Sequence, residues 1–528
     1  MSRHGTPGSP SKLETAQSDR PTSGHRRMRA GPAGCLFVVL SGCGLSGTSD
    51  GTAPTSSTGL TADTSDSSEF DTSPTVDTAR CAQASNCPGV FYVGTRPEAD
   101  LLLDCEEIES VAFTGALLET IPEFPCLIRV GHTLAVSDTV SVQDAKGLAA
   151  LGYIGHYATI RDNEALASLD GLQSLERVVG WLEIKRNPGL VSLDGLSRLE
   201  SVGMGVQVSD NPLLEDLDGL SNLSAIDYTL TITGNESLVD ITGLGNLSEI
   251  GRDLYIDDCP ALPSLDGLQG LEGYVGVLRI TGDHALQDLT GLDGLALIDG
   301  ADIYDNNALT SLTGLGALQA VGGLHIYDNP SLTDLQGLSA LEFSLHDITF
   351  ENNDALPNLD GLTSLTRVGK DLIIHDNALL ADLDGLTALT ALEGSLDVSQ
   401  NPALASLQGL ASVEDVVGAN VSLVDNGALE SLAGLEGIAR VAAKLEVTGN
   451  ATLRDLDGLS GLRTIGSRLL ITDNPSLADI QGLSSLKSVD WHVDVTGNPL
   501  LCDDEVAALF AEVSIAGDLT IDNGGPCG

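Results

Sequence analysis

The stretch LEIKRNPGLVSLDGLSRLESVG, residues 182–203, decides the fold. Its apolar side chains fall at Leu182, Ile184, Leu190, Leu193, Leu196, Leu199 and Val202, with Asn187 between the second and third of them. Residues 324–342 repeat the pattern as LHIYDNPSLTDLQGLSALE. About fifteen copies follow one another at a period of 23 to 25 residues. A fixed period in this range predicts a solenoid, because one copy cannot bury its apolar face alone and must stack on its neighbours. The L-x-I segment alternates apolar and polar, which predicts a short strand with Leu and Ile facing inward. Strands stacked one turn apart form a parallel sheet at about 4.8 Å spacing, so fifteen turns extend over roughly 70 Å.

The Asn position recurs at Asn163, Asn187, Asn211, Asn235 and from Asn306 through Asn498, with Cys259 and Asp283 in the two gaps. An Asn at a tight corner can bond the backbone of its own and the next turn, which predicts a structural ladder. The Gly of each x-G-L (Gly171, Gly195, Gly219 and onward) implies either a positive φ or a close approach between coils. Asp often precedes it, as at Asp170, Asp194, Asp218, Asp360 and Asp384. One carboxylate per turn is a poor cage for a hard cation, so these aspartates are expected to cap turns.

Composition narrows the function. The chain has 528 residues, 3% aromatic, with Leu filling the core role that aromatics usually share. Its net charge of −50 makes nucleic acid and anionic membrane surfaces poor partners, since phosphate binding needs clustered Lys and Arg. No phosphate loop or H-E-x-x-H appears, so no enzyme, metal site or cofactor is expected.

Residues 1–42 read as an N-terminal extension and signal peptide. Arg26-Arg27-Met28-Arg29 precedes the apolar run Ala33 to Ser41, the layout of a secretory signal, with Met1 or Met28 as the start. The run is too short to span a bilayer. Leu40-Ser41-Gly42-Cys43 resembles a bacterial lipobox, which implies cleavage before Cys43 and acylation of its thiol. Gly44 after the Cys implies, by resemblance to enteric sorting, an outer-membrane destination. Residues 43–80 form a Ser/Thr-rich tether that cannot bury enough surface to fold, with a root-mean-square reach of roughly 35 Å.

Six further cysteines sit at the two ends of the repeats, which reads as disulfide capping in an exported chain. Cys87–Cys105 and Cys502–Cys527 are the expected pairs, and Cys81–Cys126 follows by elimination. Cys259 stands alone in an Asn position and is expected to be a buried structural thiol. The resulting organisation is a Cys-rich cap over residues 81–130, the leucine-rich solenoid over 131–500 and a C-terminal cap over 501–528. Two cryptic turns, at Val111-Ala-Phe113 and Leu134-Ala-Val136, are expected before the fifteen. The spacing of Val506, Leu509, Phe510 and Val513 predicts a short C-terminal helix.

The pattern L-x-I-x-x-N-x-x-L-x-x-L resembles leucine-rich repeats. With Cys87-Pro-Gly and Cys105-Glu-Glu-Ile it is most similar to the receptor L-domain, as in bacterial surface lipoproteins. The resemblance implies a mainly β, right-handed solenoid of about 15–17 turns with a parallel sheet and disulfide-closed ends. It implies no particular ligand. In such a solenoid the outward residues of the sheet are the exposed ones, here including Tyr157, Trp181, Glu183, Tyr255, Arg279, Asp302, Tyr304, His325, Tyr327, Glu351, His375 and His492. Tyr255, Arg279, Tyr304, His325, Tyr327 and His375 put aromatic rings and cations on neighbouring turns, the residue types of recognition hot spots. The expected role is therefore adhesion or recognition of a protein or glycan at the cell surface. The alternative is an inert envelope spacer, and in both readings membrane contact is through the lipid anchor alone.

Overall fold

The computed structural model describes residue 81, residues 83–414 and residues 420–525. The expected signal peptide, Cys43 and the tether lie outside the described residues. The chain folds into a mainly β, parallel-sheet solenoid of leucine-rich-repeat type, with about 18 turns.

Each turn begins with a strand of the long sheet. Leu182 pairs in parallel with Val206, Val206 with Leu230, and Leu230 with Leu254, so one repeat is one turn. Leu182 and Ile184 are fully buried while Glu183 and Lys185 are half-buried on the other face, as the alternation requires. Arg186 then turns the chain in a left-handed conformation, φ 52°. Leu190, Leu193, Leu196, Leu199 and Val202 close the loop, each with no exposed surface. A fully buried Leu or Val contributes roughly 1.5–3 kcal/mol relative to exposure, so the apolar ring is the main driving force of each turn. A 3-10 helix, Asp194–Leu196, forms one corner, and a two-residue strand, Ser201–Val202, pairs with its equivalents above and below.

Both readings of the corner Gly hold: coils approach closely at each corner, and Gly171, Gly267, Gly291, Gly314 and Gly434 also have positive φ. A Cβ on Gly195 would lie 1.9 Å from the carbonyl oxygen of Leu169 in the preceding turn, although Gly195 itself has negative φ. The expected Asp caps need correction. The Asp194 N–H donates to Ser192 Oγ (3.0 Å) and the Asp218 N–H to Asp216 Oδ1 (3.1 Å). The capping side chain is thus two residues upstream, because only there does the turn aim an oxygen at the first free N–H of the 3-10 corner.

The Asn ladder runs through the interior. The Asn187 N–H donates to Asn211 Oδ1 (3.1 Å), and Asn187 Nδ2 donates to the Ile160 carbonyl one turn back (3.0 Å) and to Asn211 Oδ1 (3.2 Å). The ladder Asn residues from Asn163 to Asn498 are all fully buried. Both ends of the ladder are closed. Thr139 donates its hydroxyl to Asn163 Oδ1 (2.8 Å), and Asp503 Oδ1 accepts the Asn523 N–H (3.0 Å).

The cryptic turns are present as Cys105–Thr114 and Arg129–Ser137. One more strand, Ser85–Val93, precedes them within residues 81–130. Disulfides join Cys81 to Cys126 and Cys87 to Cys105, tying this first strand to its neighbours. Such bridges belong to oxidising, exported compartments. Cys527 lies outside the described residues, and with it the expected Cys502–Cys527 pair. The C-terminal helix, Asp503–Phe510, buries Val506 and Phe510 over the last turn. No helix among the described residues is long and apolar enough to cross a membrane.

Candidate functional site

Strand register sorts the six expected binding residues into two rows. Tyr255, Arg279, Asp302 and His325 occupy equivalent positions on four consecutive turns. Two residues further along, on the same face, Asp257, Thr281, Tyr304, Tyr327, Glu351 and His375 form the second row. The period of two that buries Leu and Ile is what turns both rows outward.

Five of the six come together between the strands Asp253–Asp257 and Ala320–Tyr327. The Tyr304 and Tyr327 rings stack with centroids 4.5 Å apart and planes 7° from parallel. The Arg279 guanidinium lies 4.6 Å from the centre of the Tyr255 ring. His375 is separated from this group by the Glu351 turn, and its Nε2 meets Gln400 Oε1 at 3.0 Å.

Arg279 and His325 each have a carboxylate partner. Arg279 Nε donates to Asp257 Oδ1 (2.9 Å), and its Nη2 also binds Asp257. This pairing holds the guanidinium firmly protonated. Burial pushes the Asp257 carboxyl above its usual range, opposed by the Arg279 bond. His325 Nδ1 lies 2.8 Å from Asp302 Oδ1, and that bond raises the imidazole above its ordinary value against the cost of burial. Burial, followed by the nearby Tyr304 and Asp302, keeps the Tyr327 phenol protonated. The cluster therefore offers phenol rings, an internally matched guanidinium–carboxylate pair and an imidazole hydrogen-bonded to a carboxylate.

The sequence reading missed Asp257, although it stands two residues after Tyr255 on the same alternating face. It also missed a rim beside the face. Asp162, Asp258, Asp305, Asp328, Asp376, Asp425 and Asp473 adopt left-handed backbone, φ 53° to 58°. Gly234, Gly282, Gly449 and Gly497 fill the same corner on other turns with positive φ. The signal was the residue before each ladder position, which is mostly Asp, Asn or Gly, the residues that tolerate this conformation.

The remaining outward residues scatter. Trp181 packs edge-on to Tyr228, and Tyr157 stands against His156, which in turn stacks on His132 at 4.8 Å. His492 lies beside Trp491. Asp302 and His325 touch one another and His375 joins neither. Among the described residues no group of three His, Cys, Asp or Glu side chains is placed to hold a metal ion.

Cys259 and Asp283 lie directly beneath this face. Cys259 has no exposed surface, and burial, with Asp283 next, pushes its thiol up to about 12. Such a thiol is unreactive at neutral pH. Asp283 Oδ1 accepts the Cys259 N–H at 2.8 Å, in the manner of a ladder Asn.

No family model matches the chain, and no curated protein matches it in sequence. Among solved structures it is similar to a leucine-rich-repeat protein of Leptospira interrogans, at 13% identity over 81% of this chain and 99% of that one, TM-score 0.30. It is also similar to an internalin of Listeria monocytogenes, at 14% identity over 72% and 81%, TM-score 0.25. A third likeness is to the Toll–Spatzle complex of Drosophila, at 14% identity over 82% of this chain and 62% of that one, TM-score 0.37.

Proposed function

We propose that this is an exported, non-catalytic recognition or adhesion protein, held to the outer membrane or cell surface by a lipid on Cys43, that binds a protein or glycan. The exposed face of its parallel sheet carries the contact, centred on Tyr304, Tyr327, His325, Arg279 and Tyr255, with His375 at its margin. The observation that carries the reading is the stacked Tyr304–Tyr327 pair, half-buried on the sheet and flanked by the Arg279–Asp257 ion pair and the His325–Asp302 hydrogen bond. Aromatic rings held in place lose little entropy on binding, which is why they recur at interface hot spots. The residues 44–80 serve as the tether, and the two caps seal the solenoid's apolar ends.

A capture screen of proteins and glycans on the immobilised chain tests this. A ligand retained by the native chain is expected to bind at least about tenfold more weakly when Tyr304, His325 and Tyr327 are all changed to Ala, given hot-spot truncation costs of about 2 kcal/mol or more. An unchanged screen, with envelope spacing altered only when whole turns are deleted, would assign the chain the role of an inert spacer.

A further inference from the structure

Resting on that reading, we infer that the occupant of the Tyr304–Tyr327 face is a cationic protein segment, one that brings Arg or Lys side chains to the rings and the adjoining rim. Arg279 and His325, the basic groups at the heart of the face, already bind Asp257 and Asp302. The carboxylates that border the rings are not matched. Asp258, Asp305, Asp328, Glu351 and Asp376 are exposed, and none makes an ion pair among the described residues; Asp328 accepts only the side-chain amide of Asn352.

These carboxylates stand where a ligand on the rings would meet them. Asp305 and Asp328 directly follow Tyr304 and Tyr327, one on each turn, and Glu351 continues the same row. An aromatic ring attracts a cation over its face, and an adjacent carboxylate adds a charge-assisted hydrogen bond. A guanidinium satisfies both at once, with a planar group for the ring and a fork for the carboxylate. The same charges repel phosphate-rich and sialylated ligands. The left-handed backbone fixes the rim aspartates to the turns, so their spacing is set by the solenoid.

The whole chain carries net charge −50, so any polycation will be drawn to it diffusely. The test must therefore compare places on the molecule. A short fluorescent peptide of alternating Arg and Gly is titrated into the full chain at about 150 mM salt, where charges more than about 8 Å apart are largely screened. Its counterpart with citrulline in place of Arg keeps the shape and loses the charge. Two variants are compared: Asp305→Asn with Asp328→Asn on the rim, and Asp360→Asn with Asp384→Asn on the 3-10 corners. Asn tolerates the left-handed backbone, so the rim variant keeps the fold.

The expected result is binding of the Arg peptide alone, weakened at least about tenfold by the rim variant and by Tyr304→Ala with Tyr327→Ala, and unchanged by the corner variant. Equal weakening by the rim and corner variants, or equal binding of the citrulline peptide, overturns the inference. If the Arg peptide fails while another protein or a glycan is captured in a Tyr304- and Tyr327-dependent way, the cationic assignment falls and the recognition face stands. If nothing depends on those rings, both fall.

Discussion

Asn377→Ala will destabilise the chain by about 3 kcal/mol or more, among the largest effects open to a single polar substitution here. The Asn377 side chain accepts the Asn353 N–H (3.1 Å) and donates to the carbonyls of Phe350 (3.0 Å) and His375 (2.9 Å) and to Asn401 Oδ1 (3.2 Å). Alanine leaves at least two of these buried groups without partners, and each costs about 1–3 kcal/mol. In a solenoid, stability is close to a sum of turn and interface terms, so a break in mid-array weakens the coupling on both sides. Urea denaturation followed by circular dichroism measures it. Asn222→Ala is the control, since the Asn222 amide bonds the Ser197 carbonyl at an exposed site and its loss is expected to stay within about 0.5 kcal/mol. Equal shifts for the two variants would count against the ladder.

Asp283→Asn will do the opposite and stabilise the chain at neutral pH. Asp283 is fully buried, and its Oδ2 has no hydrogen-bond partner. By register that oxygen takes the place of an amide nitrogen, which on the neighbouring turn donates to a carbonyl (Asn306 Nδ2 to Ile280 O, 3.0 Å). An ionised carboxylate has nothing to donate, whereas a protonated one does. Burial accordingly pushes the Asp283 carboxyl well above its usual range, and the neighbouring Asp257 and Asp258 push the same way. Asp257 is itself held by Arg279, and the Cys259 thiol beside it stays neutral.

The sign of the pH dependence follows. The folded state binds this proton more tightly than the unfolded state. Stability therefore falls as pH rises above the unfolded carboxyl value of about 4, and goes on falling until the folded value is reached. Asn supplies the missing donor without the proton. The variant is expected to gain about 1–3 kcal/mol at pH 7, and the gain should shrink towards pH 4. Denaturant midpoints at the two values decide it. A variant no more stable than the parent at pH 7, or a gain independent of pH, would contradict a raised Asp283 carboxyl.

Much of this was legible in the residues because the physics repeats. Leu193, Leu196 and Leu199 recur at fixed spacing since every turn must fill the same cross-section, and Asn187 recurs since every turn leaves the same backbone groups to satisfy. What the residues hid is what happens once or depends on the third dimension. Ser85–Val93 joins the sheet without an L-x-I-x-x-N signature, because a disulfide at Cys87 anchors it in place of a ladder Asn. The Ser192 and Asp216 caps were obscured by the more regular Asp-Gly that follows them, whose own role at the Gly is the close approach of coils. At the face, Tyr304 and Tyr327 could be read as outward, but their stacking follows from a parallel register that puts identical positions one turn apart. His375 has the same outward signature and lies outside the cluster, because adjacency along the array is set by turn number. Asp257 and the rim aspartates were hidden within a chain so acidic that a single carboxylate carries no signal.

About 18 coils share one uninterrupted interior, in which the ladder links successive turns from Thr139 to Asp503, through Asn on all but the Cys259 and Asp283 turns. Residue-resolved hydrogen exchange of the native chain tests it most directly. Except at Asn235, whose N–H meets the Cys259 thiol, the backbone N–H of each ladder Asn from Asn187 to Asn474 donates to a buried side-chain oxygen, so these amides should exchange slowly as one continuous set, with protection falling only towards the two caps. Ladder amides that exchange as fast as those of exposed corners, or protection divided into blocks that open independently, would contradict a single stacked solenoid and with it the rigid face on which recognition is proposed.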